Sequence, residues 1–412
     1  MSQSPVVQSA FPLPAPAHGD TPLDPVVAQG PTPHPWIVIA GGGTLGHVSP
    51  GVAIAEALVR RGCQRSLIHF VGSRRGVEAS RVPGAGFSLT LLPGRGIQRR
   101  LTRENIGALL GLGAAFLAAF VLLVRRRPRV VLSLGGYASA PCGVAAALLR
   151  IPIVVAEQNA VPGAANRLVG RAARACAVSF EGTDLPHAVL TGNPVRPEIL
   201  AVDRSRGRAA ARAKFDIDEG RTLILAYGGS LGARTVNRAV WSAVTLWADR
   251  GDLAIRHVLG ERGWDERPTE LHAEGTAHDG TPAGLIYQPV RYEADMASAL
   301  CAADIVLCRA GASTVFELAA VGVGSILVPL PIATEDHQSA NARVLARAGA
   351  AVVVADSQLD GARLVAEVDS LLARPGQLAE MAAKARTVGR PDAAERVADL
   401  LVRHARRAWE VA

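Results

Sequence analysis

Ile37-Val38-Ile39-Ala40-Gly41-Gly42-Gly43-Thr44-Leu45-Gly46-His47 runs from a short apolar segment through a glycine turn into sequence that reads as a helix start. The chain repeats the arrangement at Leu223-Ile224-Leu225-Ala226-Tyr227-Gly228-Gly229-Ser230-Leu231-Gly232-Ala233. A strand that turns through glycines into a helix N-terminus aims backbone N–H groups and the positive end of the helix dipole at one place, which suits phosphate. Glycine supplies the positive φ or the close backbone approach that such a turn needs. Two units of this kind predict two nucleotide-fold domains facing each other across a cleft.

Outward from these turns, apolar runs alternate with helical patterns. Strands are expected at 36–40, 67–71, 130–134, 152–156 and 175–179, then at 222–227, 254–259, 284–287, 304–308, 325–329 and 350–354. This rhythm predicts an α/β protein with two Rossmann-like parallel sheets and helices on both faces. With 412 residues the chain exceeds what one core organises, since single cores stop growing near ~250–300 residues. The expected parts are a Pro-rich tail over 1–34, an N-terminal domain over 35–196, an arginine-rich link over 197–221 and a second domain over 222–390. Helical sequence at 391–410 either caps the second domain or crosses back to the first. The tail has no charged segment before an apolar core, so it reads as a disordered extension and not a signal peptide.

The net charge of +8 suits nucleic acid or an anionic membrane surface. Aromatic residues make up only 4% and offer no stacking platform for single strands, so the reading is a membrane surface and no nucleic acid. Cys63, Cys142, Cys176, Cys301 and Cys308 are scattered through apolar sequence without C-x-x-C spacing, which points to reduced, buried thiols. Ile106 to Val124 carries no charge and is bracketed by Arg99, Arg100 and Arg103 before it and Arg125, Arg126, Arg127 and Arg129 after it. Its length suits a membrane span. Yet Val130–Leu134 resumes a sheet strand at once, and spanning would divide one sheet between the two sides of a bilayer. The preferred reading is a crossover helix lying on the membrane, its apolar surface in lipid and its arginines on anionic headgroups.

Gly41-x-Gly43-x-x-Gly46 fits the dinucleotide fingerprint, but the second strand ends Phe70-Val71-Gly72-Ser73-Arg74-Arg75 with no acid before Glu78. His47 directly after the turn suits a base beside a sugar phosphate better than a nicotinamide site. Most of the other candidates fall just after expected strands: Gly135-Gly136-Tyr137, Glu157-Gln158-Asn159, Gly192-Asn193-Pro194-Val195-Arg196, Arg309 to Thr314 with Glu317, and His337-Gln338 with Asn341. Each alone also reads as a turn or a solvated helix face. Together they belong at the carboxyl ends of parallel strands, where open sheets bind ligands. Asp216-Ile217-Asp218 has the spacing of a metal grip but reads as a solvated turn. With no other acidic cluster, the expectation is no metal and no cofactor.

These motifs, in this order from about Trp36 to Val402, resemble the MurG family of UDP-N-acetylglucosamine transferases of peptidoglycan synthesis. The resemblance rests on Gly-Gly-Thr-x-Gly-His, Gly-Gly-Tyr, Glu-Gln-Asn, Gly-Asn-Pro-Val-Arg, Gly-Gly-Ser-x-Gly-Ala, Arg-Ala-Gly-Ala and His-Gln-x-x-Asn-Ala. It implies the two-domain GT-B glycosyltransferase fold and inverting transfer of N-acetylglucosamine from its UDP donor to the muramoyl 4-hydroxyl of the undecaprenyl-pyrophosphoryl-muramoyl-pentapeptide, lipid I, giving lipid II. It also implies peripheral attachment at the cytoplasmic face of the membrane, with cell-wall synthesis proteins as further partners. Carried over by position, Thr44, Leu45, Gly46, Asn159, Arg196, Ser230, Ala312, Ser313, Thr314, Val315, Phe316, Glu317, Gln338 and Asn341 would contact the UDP-sugar. Glu317 would hold the ribose hydroxyls, while Ser230 and Arg196 would neutralise the departing diphosphate. His47 would accept the acceptor's proton, with Tyr137 and Glu157 on the acceptor side. Leu45 replaces a usual small residue and Ala156 stands where some members carry histidine. Val290 and Glu293 both fit the uracil contact. The alternatives are a transferase of the same fold for another lipid such as diacylglycerol, a UDP-sugar 2-epimerase, an NADP oxidoreductase using Arg74 or Arg75, and a noncatalytic nucleotide-binding scaffold.

Overall fold

In a computed structural model of the chain, the described residues are 36–74, 76–93, 104–229, 232–268 and 284–406. The expected tail over 1–34, Arg75, Ser230 and the arginines at 99, 100 and 103 lie outside them, as do the side chain of Leu45 and those of residues 104–110. Two parallel sheets are formed. The first orders its strands β3-β2-β1-β4-β5-β6-β7. These are β1 (Ile37–Ala40), β2 (Ile68–Ser73), β3 (Ser88–Leu92), β4 (Val130–Ser133), β5 (Ile153–Glu157), β6 (Ala175–Val178) and β7 (Ala188–Leu190). The second sheet runs β10-β9-β8-β11-β12-β13. It comprises β8 (Thr222–Tyr227), β9 (Leu253–Val258), β10 (Ile286–Val290), β11 (Ile305–Cys308), β12 (Gly324–Leu327) and β13 (Ala351–Val353).

The central strands are buried and mostly apolar because helices cover both faces of each sheet, with His69 on β2 and Arg256 and His257 on β9 among the polar exceptions. The edge strands β3 and β7 were not expected. Both are largely exposed or half-buried, so they lack the continuous hydrophobicity that marks a central strand. In each sheet the order reverses once, at β1/β4 and at β8/β11. Such switch points open a crevice at the carboxyl ends of the strands, and each glycine turn follows the first strand of its pair.

Residues 197–221, expected as a link, are not a tether. Helices Pro197–Leu200 and Arg204–Lys214 pack on the second domain, whose core takes in Ile199, Ala211, Phe215 and Ile217. The segment's polar, arginine-rich composition suggested a link between the domains. However, Arg204, Arg208 and Arg212 share one helix face. Arg208 and Arg212 reach Asp304 at 2.6 and 3.1 Å, and Arg204 donates to the Gly322 carbonyl at 2.8 Å. Helix Ala393–His404 crosses back to the first domain, where Val397, Leu400 and Leu401 join a core with Ile54, Leu58 and Val130. Glu395 pairs there with Arg60 and Arg61, at 2.7 and 2.9 Å.

Candidate active site

Thr44 precedes helix Leu45–Arg60 in extended backbone, and His47 sits in that helix's first turn. Thr44 Oγ1 lies 3.0 Å from His47 Nδ1. A Cβ on Gly135 would stand 3.2 Å from both His47 Nε2 and Asn166 Nδ2, so the glycine after β4 leaves the space in which the two side chains converge. Glu157, at the end of β5, is buried. Its carboxylate accepts from Asn159 N (2.9 Å), Gly163 N (3.0 Å), Asn166 Nδ2 (2.9 Å) and Asn159 Nδ2 (3.3 Å). Burial pushes the His47 imidazole below its ordinary value of 6.5. The negative charges of Glu157 and Glu78 partly oppose this, and His337 adds to it. The ring is therefore neutral near pH 7, as a base must be.

Asn166 was missed by the sequence reading. It is buried, bonds Glu157 and the Ala156 carbonyl (3.2 Å), and accepts from Ser133 Oγ (3.2 Å). Its only signal was an asparagine beside Arg167 in the otherwise apolar helix after Glu157-Gln158-Asn159. Glu78 is the second omission. The Gly43 N–H donates to its carboxylate at 3.0 and 3.2 Å, and Ser73 N at 2.6 Å. Gly43 has φ +98°, and a Cβ on Gly42 would fall 2.2 Å from Glu78 Oε1. The first turn thus spends part of its anion-binding capacity on the chain's own carboxylate. That corrects the expectation of two equivalent phosphate cradles and leaves a dinucleotide diphosphate little purchase there. Tyr137 is also already engaged: its hydroxyl donates to the carbonyls of Pro93 (2.8 Å) and Gly111 (3.2 Å), tying down helix Glu104–Arg126.

Across the crevice, helix Ala312–Val321 begins directly after Gly311. Val315 N already bonds the Gly311 carbonyl, while the N–H groups of Ala312, Ser313 and Thr314 belong to the open first turn. Among the described residues Ser313 Oγ is buried without a hydrogen-bond partner. Val315 and Phe316 point their side chains into the core, so only their backbone remains for a ligand. Arg196, from the first domain, donates to Glu317 Oε1 at 2.8 Å, with Phe180 packed on Phe316 beside it at 5.1 Å. Asn341 joins the lobes, accepting from Ala160 N at 2.9 Å and donating to Asn159 Oδ1 at 3.2 Å. Gln338 Oε1 accepts from Leu330 N at 3.0 Å. Gly46 opens beside Thr44, and Ser230 lies outside the described residues.

Some candidates have side chains already paired within the fold. Arg309 pairs with Asp356, Asp218 with Arg221, and Glu293, one of the two proposed uracil contacts, with Arg256. Burial lifts the thiols of Cys63 and Cys176 to about 11 and those of Cys142 and Cys308 to about 12, so none is a ready nucleophile.

Residues 37–178 match the glycosyltransferase family 28 N-terminal domain, and residues 223–397 the family 28 C-terminal domain. The chain is thus a glycosyltransferase of the two-lobed GT-B class. The UDP-N-acetylglucosamine–N-acetylmuramyl-(pentapeptide) pyrophosphoryl-undecaprenol N-acetylglucosamine transferase of Alkalilimnicola ehrlichii is 41% identical over 372 residues, covering 90% of this chain and 99% of the relative. The enzyme of the same name from Desulforudis audaxviator is 39% identical over 370 residues, covering 89% and 97%. The crystal structure of Acinetobacter baumannii MurG superposes with a TM-score of 0.69 at 32% identity, covering 90% of this chain and 99% of that one. The chain belongs to the MurG family. A UDP-N-acetylglucosamine 2-epimerase from Neisseria meningitidis, at 13% identity and a TM-score of 0.61 over 89% of this chain, shares the fold alone.

Proposed function

We propose that this chain transfers N-acetylglucosamine from UDP-N-acetylglucosamine to the 4-hydroxyl of the muramoyl sugar of lipid I, inverting the anomeric carbon and giving lipid II. The observation that carries the reading is the convergence of His47, Glu157 and Asn166 at one switch point opposite the open helix N-terminus at Ala312. His47 Nε2 takes the acceptor hydroxyl's proton as that oxygen attacks. Glu157, filled by four donors, acts as a fixed negative charge that steadies the developing imidazolium. The first turn of helix Ala312–Val321 and Arg196 receive the charge growing on UDP. Glu317 Oε1 is taken by Arg196, which leaves Oε2 for the ribose hydroxyls. Thr44, Gly46, Asn159, Gln338 and Asn341 frame the donor sugar and diphosphate, and Ser230 meets the phosphates from the second glycine turn. Tyr137 positions the acceptor side through the helix it anchors.

The same reading places the enzyme peripherally on the cytoplasmic face of the membrane. Helix Glu104–Arg126 buries Ala115, Ala119 and Leu123 and exposes Leu117, Val121 and Val124. Among the described residues no helix is long and apolar enough to cross a membrane. An exposed apolar stripe ending in Arg125 and Arg126 suits an anionic bilayer surface. Cell-wall synthesis proteins would meet the enzyme there. Incubation with radiolabelled UDP-N-acetylglucosamine and a short-chain lipid I analogue should yield labelled disaccharide-lipid, and diacylglycerol should stay unlabelled. The reverse pattern would reject the acceptor.

A further inference from the structure

Glu78 opens the short helix Glu78–Gly84 and is buried, yet its carboxylate turns away from that helix. Among the described residues it accepts only from the end of β2 and from the first glycine turn. Ser73 N and Oγ donate to Oε1 at 2.6 and 2.9 Å, and Gly43 N reaches Oε1 and Oε2 at 3.2 and 3.0 Å. None of these donors is a cation. Three glycines clear the space: a Cβ on Gly42, Gly72 or Gly76 would stand 2.2, 2.4 or 1.9 Å from an atom of this side chain.

The plainer explanation is that an acid in a first turn complements the dipole of its own helix. That effect needs no burial, and taking a carboxylate out of water without a cation costs more than a surface dipole contact returns. A small apolar side chain would fill the space without that cost. The chain instead keeps a buried anion, and the segment it holds is the turn leading to His47. Gly43 precedes Thr44, whose carbonyl accepts from His47 N and Val48 N at 3.2 Å each and whose Oγ1 lies 3.0 Å from His47 Nδ1. Nε2 is free to take a proton only in the tautomer whose Nδ1–H donates to Thr44 Oγ1. The charged and titratable groups that face the ring are Glu157 from β5, Glu78, and His337 from the start of helix His337–Arg347. Burial, the largest influence, lowers the ring's affinity for protons, Glu157 and then Glu78 oppose it, and His337 adds to it.

We propose that Glu78 is a positioning residue for the transfer: it clamps Gly43 so that Thr44 receives Nδ1–H, and it sets a second fixed negative charge behind the base beside that of Glu157. This rests on the transferase reading and on His47 as its base. Glu78 itself touches no substrate; it acts through the turn and through the ring.

The test compares Glu78→Gln, which keeps the shape and removes the charge, with Glu78→Asp, which keeps the charge on a shorter arm, both in the full-length protein. Turnover is expressed per site that binds UDP by calorimetry, so unfolded protein does not enter the rate. In the Gln variant kcat should fall about tenfold, while KM for UDP-N-acetylglucosamine stays within roughly a factor of two of the parent. Because the lost carboxylate raised the ring's affinity for protons, the acid limb of kcat/KM should move to lower pH by about half a pH unit or more. The Asp variant should hold that limb at the parent position. An unmoved limb in the Gln variant, or loss of UDP binding in both variants, marks the carboxylate as purely structural and overturns the proposal. Nitrogen-15 spectra of histidine-labelled parent, taken where the ring is neutral and assigned with His47→Gln, should show the Nδ1–H tautomer. Finding the Nε2–H tautomer overturns it as well. Tautomer and UDP affinity are read without turnover, so a chain that transferred no sugar would fail the transferase reading and leave those two results standing.

Discussion

At the scale of single residues, the proposed chemistry turns on an imidazole kept neutral by partial burial and set against a carboxylate that has no free acceptor position. His47→Ala removes the base and leaves the donor contacts alone. Turnover should fall by about 10²–10⁴-fold, while UDP affinity by calorimetry stays within roughly a factor of two of the parent. Near-normal turnover would move the base elsewhere. The protonation sign follows from the lowered value: the competent ring is the uncharged one, so kcat/KM should be flat near pH 7 and decline on acidification below 6.5. His47 was legible from its place after the first glycine turn. Asn166 and Glu78 were not, since their roles depend on which carboxylate and amide the folded backbone delivers to them, and no local spacing encodes that.

Among the elements, helix Glu104–Arg126 shows how far a hydropathy pattern can be read. The uncharged run pointed to an apolar helix, and the strand that follows it argued against spanning. Which face stays open depends on helix Ser139–Leu148, packed along the other side. Leu117 is 62% exposed, so Leu117→Glu should cost the fold less than ~0.5 kcal/mol. Partition onto anionic vesicles should drop several-fold, with transfer to a soluble acceptor preserved. A variant that still binds vesicles as the parent does would remove this helix from the membrane contact. The central strands were legible because each is a mostly apolar run. β3 and β7 escaped notice because an edge strand is stabilised by its one neighbour more than by its own composition.

For the whole molecule, two predictions concern how the lobes are held. Leu401 is buried in the first domain although it lies at the far end of the chain. Leu401→Ala should destabilise that domain by about 2–5 kcal/mol, seen as an earlier transition in hydrogen exchange over β1 and β4 than over β8 and β11. Acid should weaken both lobes together. Burial holds His69 on β2 at about 4 and His257 on β9 at about 3, whereas the unfolded chain protonates them near 6.5. Their contribution is complete above pH 6.5 and is lost as pH falls towards those lower values. Between pH 6.5 and 5 each should cost roughly 1–2 kcal/mol in urea unfolding, and His69→Gln should flatten that slope. The two-lobed plan was legible from the paired glycine turns. The crossing of helix Ala393–His404 was not, because an amphipathic helix near the end of the chain suits either domain equally well.

That crossing has a consequence for birth on the ribosome. The strands of the first domain are complete by Leu190, yet their covering helix begins on the order of 200 residues later, which is tens of seconds of translation. Throughout that interval the nascent domain carries an uncovered oily groove along Ile54, Leu58 and Val130. The lobe made first is therefore the last to be sealed, and it is the one a holding chaperone would grip.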